Sequence, residues 1–387
     1  MTPAARLSAA IEILDRILAG TAAEQALTNW ARASRFAGSG DRYAIRDLVF
    51  DAVRCKRSYA ALGGAETGRG LILGGLRAAK VDPATLFTGI GHAPAPLSVA
   101  DTAAEEMQDL VALDCPNWLA PDLQASLGAD FAPVMEALRQ RAPVFLRVNA
   151  ARIDRDTAAA VLASEGIATR PVSLAKNALE VTENARKIHS SQSYVDGLVE
   201  LQDAASQAVI EALPLSFGQK VLDYCAGGGG KTLAMAARAD LQLFAHDADP
   251  RRMRDLPARA QRAGVPLRLL DDAMVHKNAP YDLVLADVPC SGSGSWRRAP
   301  EAKWALTRAR LDALCAVQAT ILDQVAPLVS REGRLAYATC SMLNAENSDQ
   351  IAGFLARTSG WMLESSHRLT PLDGGDGFFL AILRRIV

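Results

Sequence analysis

Two cysteines sit where alternating strand–helix proteins do their chemistry. Cys290 lies in Asp287-Val288-Pro289-Cys290-Ser291-Gly292 and Cys340 in Thr339-Cys340-Ser341, each just after an apolar, strand-like run. A thiolate adds readily to an electron-poor carbon, and an acid beside it, such as Asp287, can support charge as it develops. A third stretch, Asp223 to Thr232 (DYCAGGGGKT), places four consecutive glycines between Val221-Leu222 and an Ala-rich helical pattern. Glycines there let the backbone close on a ligand, and the helix N-terminus offers unpaired N–H groups to an anionic or nucleotide-like group.

Each of these signals has a plainer reading. The ending GGGGKT suits a phosphate-binding loop, G-x-x-x-x-G-K-[ST], but the position of its first glycine holds Cys225. Asp247 falls roughly 20 residues after the glycine loop, where a carboxylate can accept ribose hydroxyls. It can equally cap the helix that DPRRM begins. The six cysteines are scattered with no C-x-x-C pair, so neither a metal site nor a disulfide framework is expected. A lone cysteine is ordinarily a small buried apolar residue, yet two of the six fall on strand ends, which makes at least one of them chemical.

Three reaction classes can then be compared. A nicotinamide-dependent oxidoreductase explains the loop and Asp247 but leaves both thiols idle. A phosphate hydrolase can use Asp287 as a magnesium ligand, but its loop lacks the first glycine. Methylation of a pyrimidine base uses all the parts. Carbon-5 becomes nucleophilic only after a thiolate adds to carbon-6, and it then needs an electrophilic methyl group and a route for its proton.

The elements that must position these residues read as an α/β doubly wound sheet from Gln219 to Val387. Its strands are Val221-Tyr224, Leu241-His246, Leu267-Leu270, Tyr281-Ala286 and Arg334-Ala338, with two more around Trp361-Leu363 and Phe378-Leu383. A helix is expected over Ala305 to Val325. Strand ends then carry the glycine loop, Asp247, Asp271-Asp272, Asp287 to Gly292, and Thr339 to Ser341. Residues 1–130 read as helices: Leu7 to Leu18 stopped by Gly20, a second around Ala26 to Trp30, and a third capped by Asp41. The glycines from Gly63 to Gly75 are expected to break that run, and Pro116 and Pro121 to start short helices. Residues 131–208 read as a small α+β domain with a strand at Val144-Val148, a helix at Thr157-Ser164 and strands near Val172, Leu174, Leu179 and Val181. The catalytic domain is then 209–387.

Length and balance agree with a multi-domain globular chain. Of 387 residues half are hydrophobic, and no apolar run reaches the ~20 residues that cross a bilayer. The expected location is the cytoplasm, without membrane partners. The formal net charge of −1 gives no overall signal for nucleic acid, so any polyanion contact must come from local clusters. Arg251, Arg252, Arg254, Arg259, Arg262 and Arg268 form one, and Trp296-Arg297-Arg298 with Lys303 another.

Taken together, the motifs resemble the Sun/Fmu family of RNA cytosine-5 methyltransferases that use S-adenosyl-L-methionine (SAM). DYCAGGGGKT is similar to that family's D-x-C-A-A-P-G-G-K-T, DVPCSGSG to D-A-P-C-S-G-x-G, and Thr339-Cys340-Ser341 to T-C-S. LQDAASQ, FLRVN, WRRAPEAKW and DGFFLAILRR resemble further family stretches. The resemblance implies a class I SAM-methyltransferase (Rossmann-like) sheet preceded by an all-α NusB-like domain and an RRM-like domain. It implies Cys340 as nucleophile, Cys290 as the group that assists adduct breakdown, and Asp287 between methyl donor and base. The loop Cys225, Ala226, Gly227, Gly228, Gly229, Gly230 and Lys231 would wrap SAM. Asp247 and Arg252 would hold its ribose end, and Asp272 its adenine. The implied partner is RNA, of the small ribosomal subunit, bound by a monomer, with Trp296 either stacking on a base or lying in the core. Transfer RNA as substrate and a non-catalytic role in ribosome assembly are the alternatives. Two departures stand out: Gly227-Gly228 replaces Ala-Pro, and Val288 replaces alanine.

Overall fold

A computed structural model of the chain describes residues 1–102 and 107–386. They form two compact units: Met1–Arg141 with Trp296–Ala305, and Ala142–Ser295 with Leu306–Val387.

The first unit is helical. Helices α1 (Pro3–Leu18), α2 (Ala23–Ala33), α3 (Ser39–Arg54), α4 (Lys56–Gly63) and α5 (Gly68–Ala78) enclose a core that includes Ile13, Leu14, Ile45, Val49 and Leu73. The Thr2 hydroxyl caps α1 by accepting the Ala5 N–H, and Pro3 supplies the fixed φ of a first helical residue. Short helices α6 (Asp109–Ala112), α7 (Ala120–Leu127) and α8 (Phe131–Leu138) follow. Two expectations fail here. Asp41 does not cap α3; Gly38 does, and Asp41 lies in the first turn, paired with Arg6 and the chain's amino group. The glycine stretch breaks the helical run only at Gly64, whose φ of +82° ends α4; contrary to expectation, the glycines from 68 to 75 lie inside α5. A Cβ on Gly74 would lie 1.9 Å from the Tyr59 carbonyl oxygen, and one on Gly63 would lie 1.8 Å from that of Gly70. The glycines let α4 and α5 pack backbone against backbone, which offsets their low helix propensity. Pro121 opens α7 as expected, whereas Pro116 begins only a turn.

The second unit holds two sheets. The smaller is built from β1 (Val144–Val148), β2 (Ala168–Pro171), β3 (Ala178–Glu183) and β4 (Val199–Leu201), in the order β2-β3-β1-β4, all antiparallel. Helices α9 (Arg155–Ser164) and α10 (Gln192–Val195) complete a β-α-β-β-α-β arrangement. Val172 and Leu174 lie beyond β2 rather than in a strand, and β4 is a strand not expected from the sequence.

The larger sheet has seven strands: β5 (Lys220–Asp223), β6 (Gln242–Ala245), β7 (Arg268–Leu269), β8 (Tyr281–Asp287), β9 (Val329–Thr339), β10 (Trp361–Leu369) and β11 (Phe378–Arg385). Their order is β10-β11-β9-β8-β5-β6-β7, with β5 to β9 parallel and β11 antiparallel to both neighbours. Helices α11 (Ala204–Glu211) and α12 (Gly230–Ala236) cover one face over Leu283, Leu285 and Ile382. Helices α13 (Leu256–Ala263) and α14 (Asp272–Lys277) flank β6 and β7. The expected helix over 305–325 is two: α15 (Pro300–Ala305), in the first unit, and α16 (Arg308–Val325), capped by Thr307. With α17 (Ser348–Arg357), α16 buries Tyr281, Val284, Leu322, Phe354 and Trp361 on the sheet's other face. The strand order reverses at β5, which pairs with both β6 and β8. Ligands in such sheets bind at that reversal, outside the carboxyl ends of the strands.

Candidate active site

The loop after β5 is shaped by its glycines. Gly227 has φ +51° and donates its N–H to Asp247 Oδ2 at 2.9 Å, drawing the loop toward the end of β6. Gly229 has φ +77°, and a Cβ there would lie 2.0 Å from Leu256 Cδ1. At the loop's start, Asp223 is wholly buried and accepts the Thr232 hydroxyl at 2.6 Å. Burial pushes its carboxyl up to about 7. Cys225 lines the same loop, with its thiol pushed up by burial and by the carboxylates of Asp223, Asp287 and Asp247, so it is no thiolate at neutral pH.

Asp247 is almost buried. Its Oδ2 takes both the Gly227 N–H and Arg252 Nη1 at 3.0 Å, while Oδ1 takes the Asp249 N–H and could also accept a ribose hydroxyl. Asp272 is exposed, and its Oδ1 lies 2.8 Å from His246 Nε2. The other His246 nitrogen faces the Tyr224 carbonyl at 2.8 Å. His246, Asp247, Met253, Pro257, Leu270 and Asp272 help line a cavity of about 360 Å³ beside the loop. Its apolar walls and rim carboxylates fit a purine nucleoside.

The reactive side chains converge on the neighbouring strand ends. Asp287, last residue of β8, pairs with Lys231 of α12 at 2.6 Å. Burial works against the Lys231 ammonium, but Asp287 outweighs it and holds the lysine above its ordinary pKa. The sulfurs of Cys290 and Cys340 are 3.4 Å apart. The hydrogen bond between the two sulfurs lowers the Cys340 thiol below its ordinary value against burial and the Asp287 charge, with help from Lys231 and the Ser295 hydroxyl. That same hydrogen bond, together with burial and the charges of Cys340 and Glu346, raises Cys290 well above its own. Of the two, Cys340 is therefore the thiol that gives up its proton more readily and Cys290 the one that holds it longer.

Sequence position gave no sign of three supporting residues. Arg147, buried in β1, donates to Gln202 Oε1 and, at 2.8 Å, to the carbonyl of Gly230, so the small sheet braces the loop at the start of α12. Glu200 of β4 binds Arg259 and Arg262, and Arg259 also donates to the Gly228 carbonyl. Glu346 is buried between the two cysteine loops.

The arginine segment is thereby split. Arg259 and Arg262 serve the fold, whereas Arg251 and Arg254 remain largely exposed. The second basic cluster does not form a surface: Trp296, Arg297 and Lys303 are all buried. Lys303 donates to the Arg54 carbonyl at 3.1 Å and lies over the Trp304 ring, and burial pushes it down to about 8. Trp296 is a core residue here, not a stacking platform, and of this group only Arg298 faces solvent.

Residues 210–384 match the family described as 16S rRNA methyltransferase RsmB/F, and residues 115–188 match its ferredoxin-like domain. The chain belongs to the RsmB/F methyltransferase family. A ribosomal RNA small subunit methyltransferase B from Citrobacter koseri is 34% identical over 282 residues, covering 69% of this chain and 66% of that protein. The chain thus spans just under two thirds of the length of this curated relative. A methyltransferase homologue from Pyrococcus horikoshii superposes with TM-score 0.62 at 25% identity, covering 72% of this chain and 97% of its own. The crystal structure of PH0851 has the same fold, with TM-score 0.77 at 20% identity over 100% of this chain and 99% of that one. The seven-stranded sheet is accordingly that of a class I SAM methyltransferase, and S-adenosyl-L-methionine is the cofactor of this RsmB/F-family chain. Among the described residues no helix is long and apolar enough to cross a membrane, and no cluster of side chains has the makings of a metal site.

Proposed function

We propose that the chain methylates carbon-5 of a cytosine in small-subunit ribosomal RNA through a covalent adduct between Cys340 and carbon-6. The observation that carries this reading is the thiol pair of Cys290 and Cys340 at 3.4 Å beside the Lys231–Asp287 ion pair. SAM, when bound, supplies an electrophilic methyl group. The loop Cys225–Lys231 would hold it, with Asp247 and Arg252 at its ribose and Asp272 at its adenine.

The chain's own residues account for the remaining steps. The Cys340 thiolate bonds to carbon-6, and the ring's π electrons move toward N3 and the carbonyl, making carbon-5 an enamine carbon that takes the methyl group. Asp287, fixed by Lys231, would support the ring's polar edge as charge develops there. Once the Cys340 sulfur is a neutral thioether, one of the charges that kept the proton on Cys290 is gone. Cys290 can then release its proton to solvent; its thiolate takes the carbon-5 proton, and the electrons of that C–H bond form the C5–C6 double bond and expel the Cys340 thiolate. Arg251 and Arg254 are suited to phosphate contacts, which would position RNA without reading its sequence.

The decisive test is Cys340→Ala. Methyl transfer to deproteinised small-subunit RNA is expected to vanish while SAM binding by equilibrium dialysis is unchanged. Full activity in that variant would overturn the assignment, and bisulfite mapping of the product separates ribosomal from transfer RNA.

A further inference from the structure

Glu346 is a fully buried acid at the end of the turn Asn344–Glu346, five residues beyond Ser341. Its Oε1 accepts the Ser291 backbone N–H at 2.7 Å and the Gln318 side-chain amide at 3.0 Å. Its Oε2 accepts the hydroxyls of Ser291 and Ser341, each at 2.5 Å. Ser291 follows Cys290 and Ser341 follows Cys340, so one side chain grips the immediate neighbour of each thiol. Four donors converge on two oxygens, the kind of shell that makes a buried carboxylate tolerable.

The surrounding bonds carry the clasp outward. Gln318 of α16 also donates to the Pro289 carbonyl at 3.0 Å. The Ser293 hydroxyl lies 3.0 Å from that of Ser341, and the Gly294 N–H donates to the Cys340 carbonyl at 2.9 Å. Tyr337 of β9 donates its hydroxyl to the Glu346 carbonyl at 2.6 Å. The clasp is uneven: Ser291 gives Glu346 both its N–H and its hydroxyl, and Gln318 links Glu346 to Pro289, so the carboxylate is held mainly by the Cys290 loop, whereas Ser341 gives one hydroxyl. Glu346 acts on Cys290, whereas Lys231, Asp287 and Ser295 act on Cys340. Cys315 of α16 and Tyr337 of β9 are the other titratable groups that feel Glu346.

We propose that Glu346 is a positioning residue of the methyl-transfer site, which clasps the two cysteine loops and places a fixed negative charge on the Cys290 side, so that the shared proton stays on Cys290 and Cys340 is the nucleophile. This rests on the reading of Cys340 as nucleophile given above. A polar clasp without charge would align the loops but would not choose between the sulfurs. The choice is what a carboxylate adds.

The test is the pH dependence of thiol alkylation in the full chain, without RNA or cofactor. Iodoacetamide labelling between about pH 6 and about pH 9, read by peptide mass spectrometry, is expected to reach Cys340 ahead of Cys290 in the wild type. In Glu346→Gln the ratio of Cys290 to Cys340 labelling should rise about tenfold, the equivalent of one pKa unit between the sites. The plateau rate of methyl transfer should fall in step, because less of the pair's charge then rests on Cys340. Glu346→Asp, which keeps the charge, should restore the wild-type order. A folded Glu346→Gln protein, judged by its melting curve, that keeps the wild-type labelling order overturns the proposal. Should Glu346→Gln fail to fold, Ser341→Ala serves instead: it removes one clasp bond, keeps the charge, and is expected to preserve the order. An inverted order in that variant also overturns the proposal. Labelling needs no turnover, so an active Cys340→Ala enzyme would sink the nucleophile reading without touching this result.

Discussion

The Lys231 ammonium, at the first turn of α12, lies 2.6 Å from the Asp287 carboxylate at the end of β8 and tunes the Cys340 sulfur next to it. Lys231 lowers the Cys340 pKa and Asp287 raises it, so the two ends of the pair act on the thiol in opposite senses. Lys231→Met removes only the helpful half. Its acid limb for methyl transfer is expected to shift upward by about one pH unit, with iodoacetamide labelling of Cys340 at neutral pH slowed about tenfold. An unshifted profile would show that the ion pair does not govern the nucleophile.

Cys290 makes a separate prediction because its thiol faces Cys340 from the opposite loop. Without it the adduct can form but cannot readily lose its carbon-5 proton. Cys290→Ala is therefore expected to accumulate a protein–RNA species that survives denaturing electrophoresis and depends on SAM. Normal methylation with no such species removes the role in adduct breakdown.

The sheet edge that carries the two cysteines was legible in the sequence because its signals are local. Apolar runs ending in Asp287 and Thr339 give strands, and a thiol placed next on each gives a rim residue. Glu346 was not legible, since its meaning comes from Ser291, 55 residues earlier, rather than from its own neighbours. Arg147 likewise matters through Gly230, 83 residues on. Local composition misled in two places. The stretch around Trp296 and Lys303 is basic and aromatic, which suits a nucleic-acid surface, but tertiary packing buries it. The glycines of α5 look like breakers until α4 is set against them.

Asp223 ties stability to pH. Its carboxyl ionises near 3.8 in an ordinary setting but is held neutral up to about 7 in the fold. The unfolded chain therefore releases this proton first, and the stability Asp223 allows is highest below about pH 4 and falls as pH rises toward 7. The span is at most on the order of 4 kcal/mol. Asp223→Asn cannot ionise, so its melting temperature should drop less than that of the wild type between about pH 5 and about pH 8. Equal drops in the two proteins would contradict the buried, protonated acid.

Gly229 combines a left-handed φ of +77° with direct contact against Leu256. Gly229→Ala must strain the backbone and displace that leucine, at a cost of about 1–3 kcal/mol. Because the loop it distorts is the proposed cofactor cradle, SAM affinity is expected to fall at least about tenfold by calorimetry. Adding Leu256→Ala relieves the clash and not the strained φ, so it should return part of the affinity. Unchanged affinity in Gly229→Ala would mean that the loop does not hold the cofactor.

In the helical unit two glycines should respond in opposite directions to the same change. Gly74 of α5 has no room for a methyl group against the Tyr59 carbonyl, whereas Gly40, in the first turn of α3, has nothing within 4 Å of a Cβ and no positive φ. Gly74→Ala should prise α4 from α5 and lower stability by about 1–3 kcal/mol. Gly40→Ala should raise it by about 0.5 kcal/mol through helix propensity alone. Urea unfolding followed by circular dichroism reads both changes as shifts in midpoint. A Gly74→Ala chain as stable as Gly40→Ala would refute the close backbone packing of the two helices.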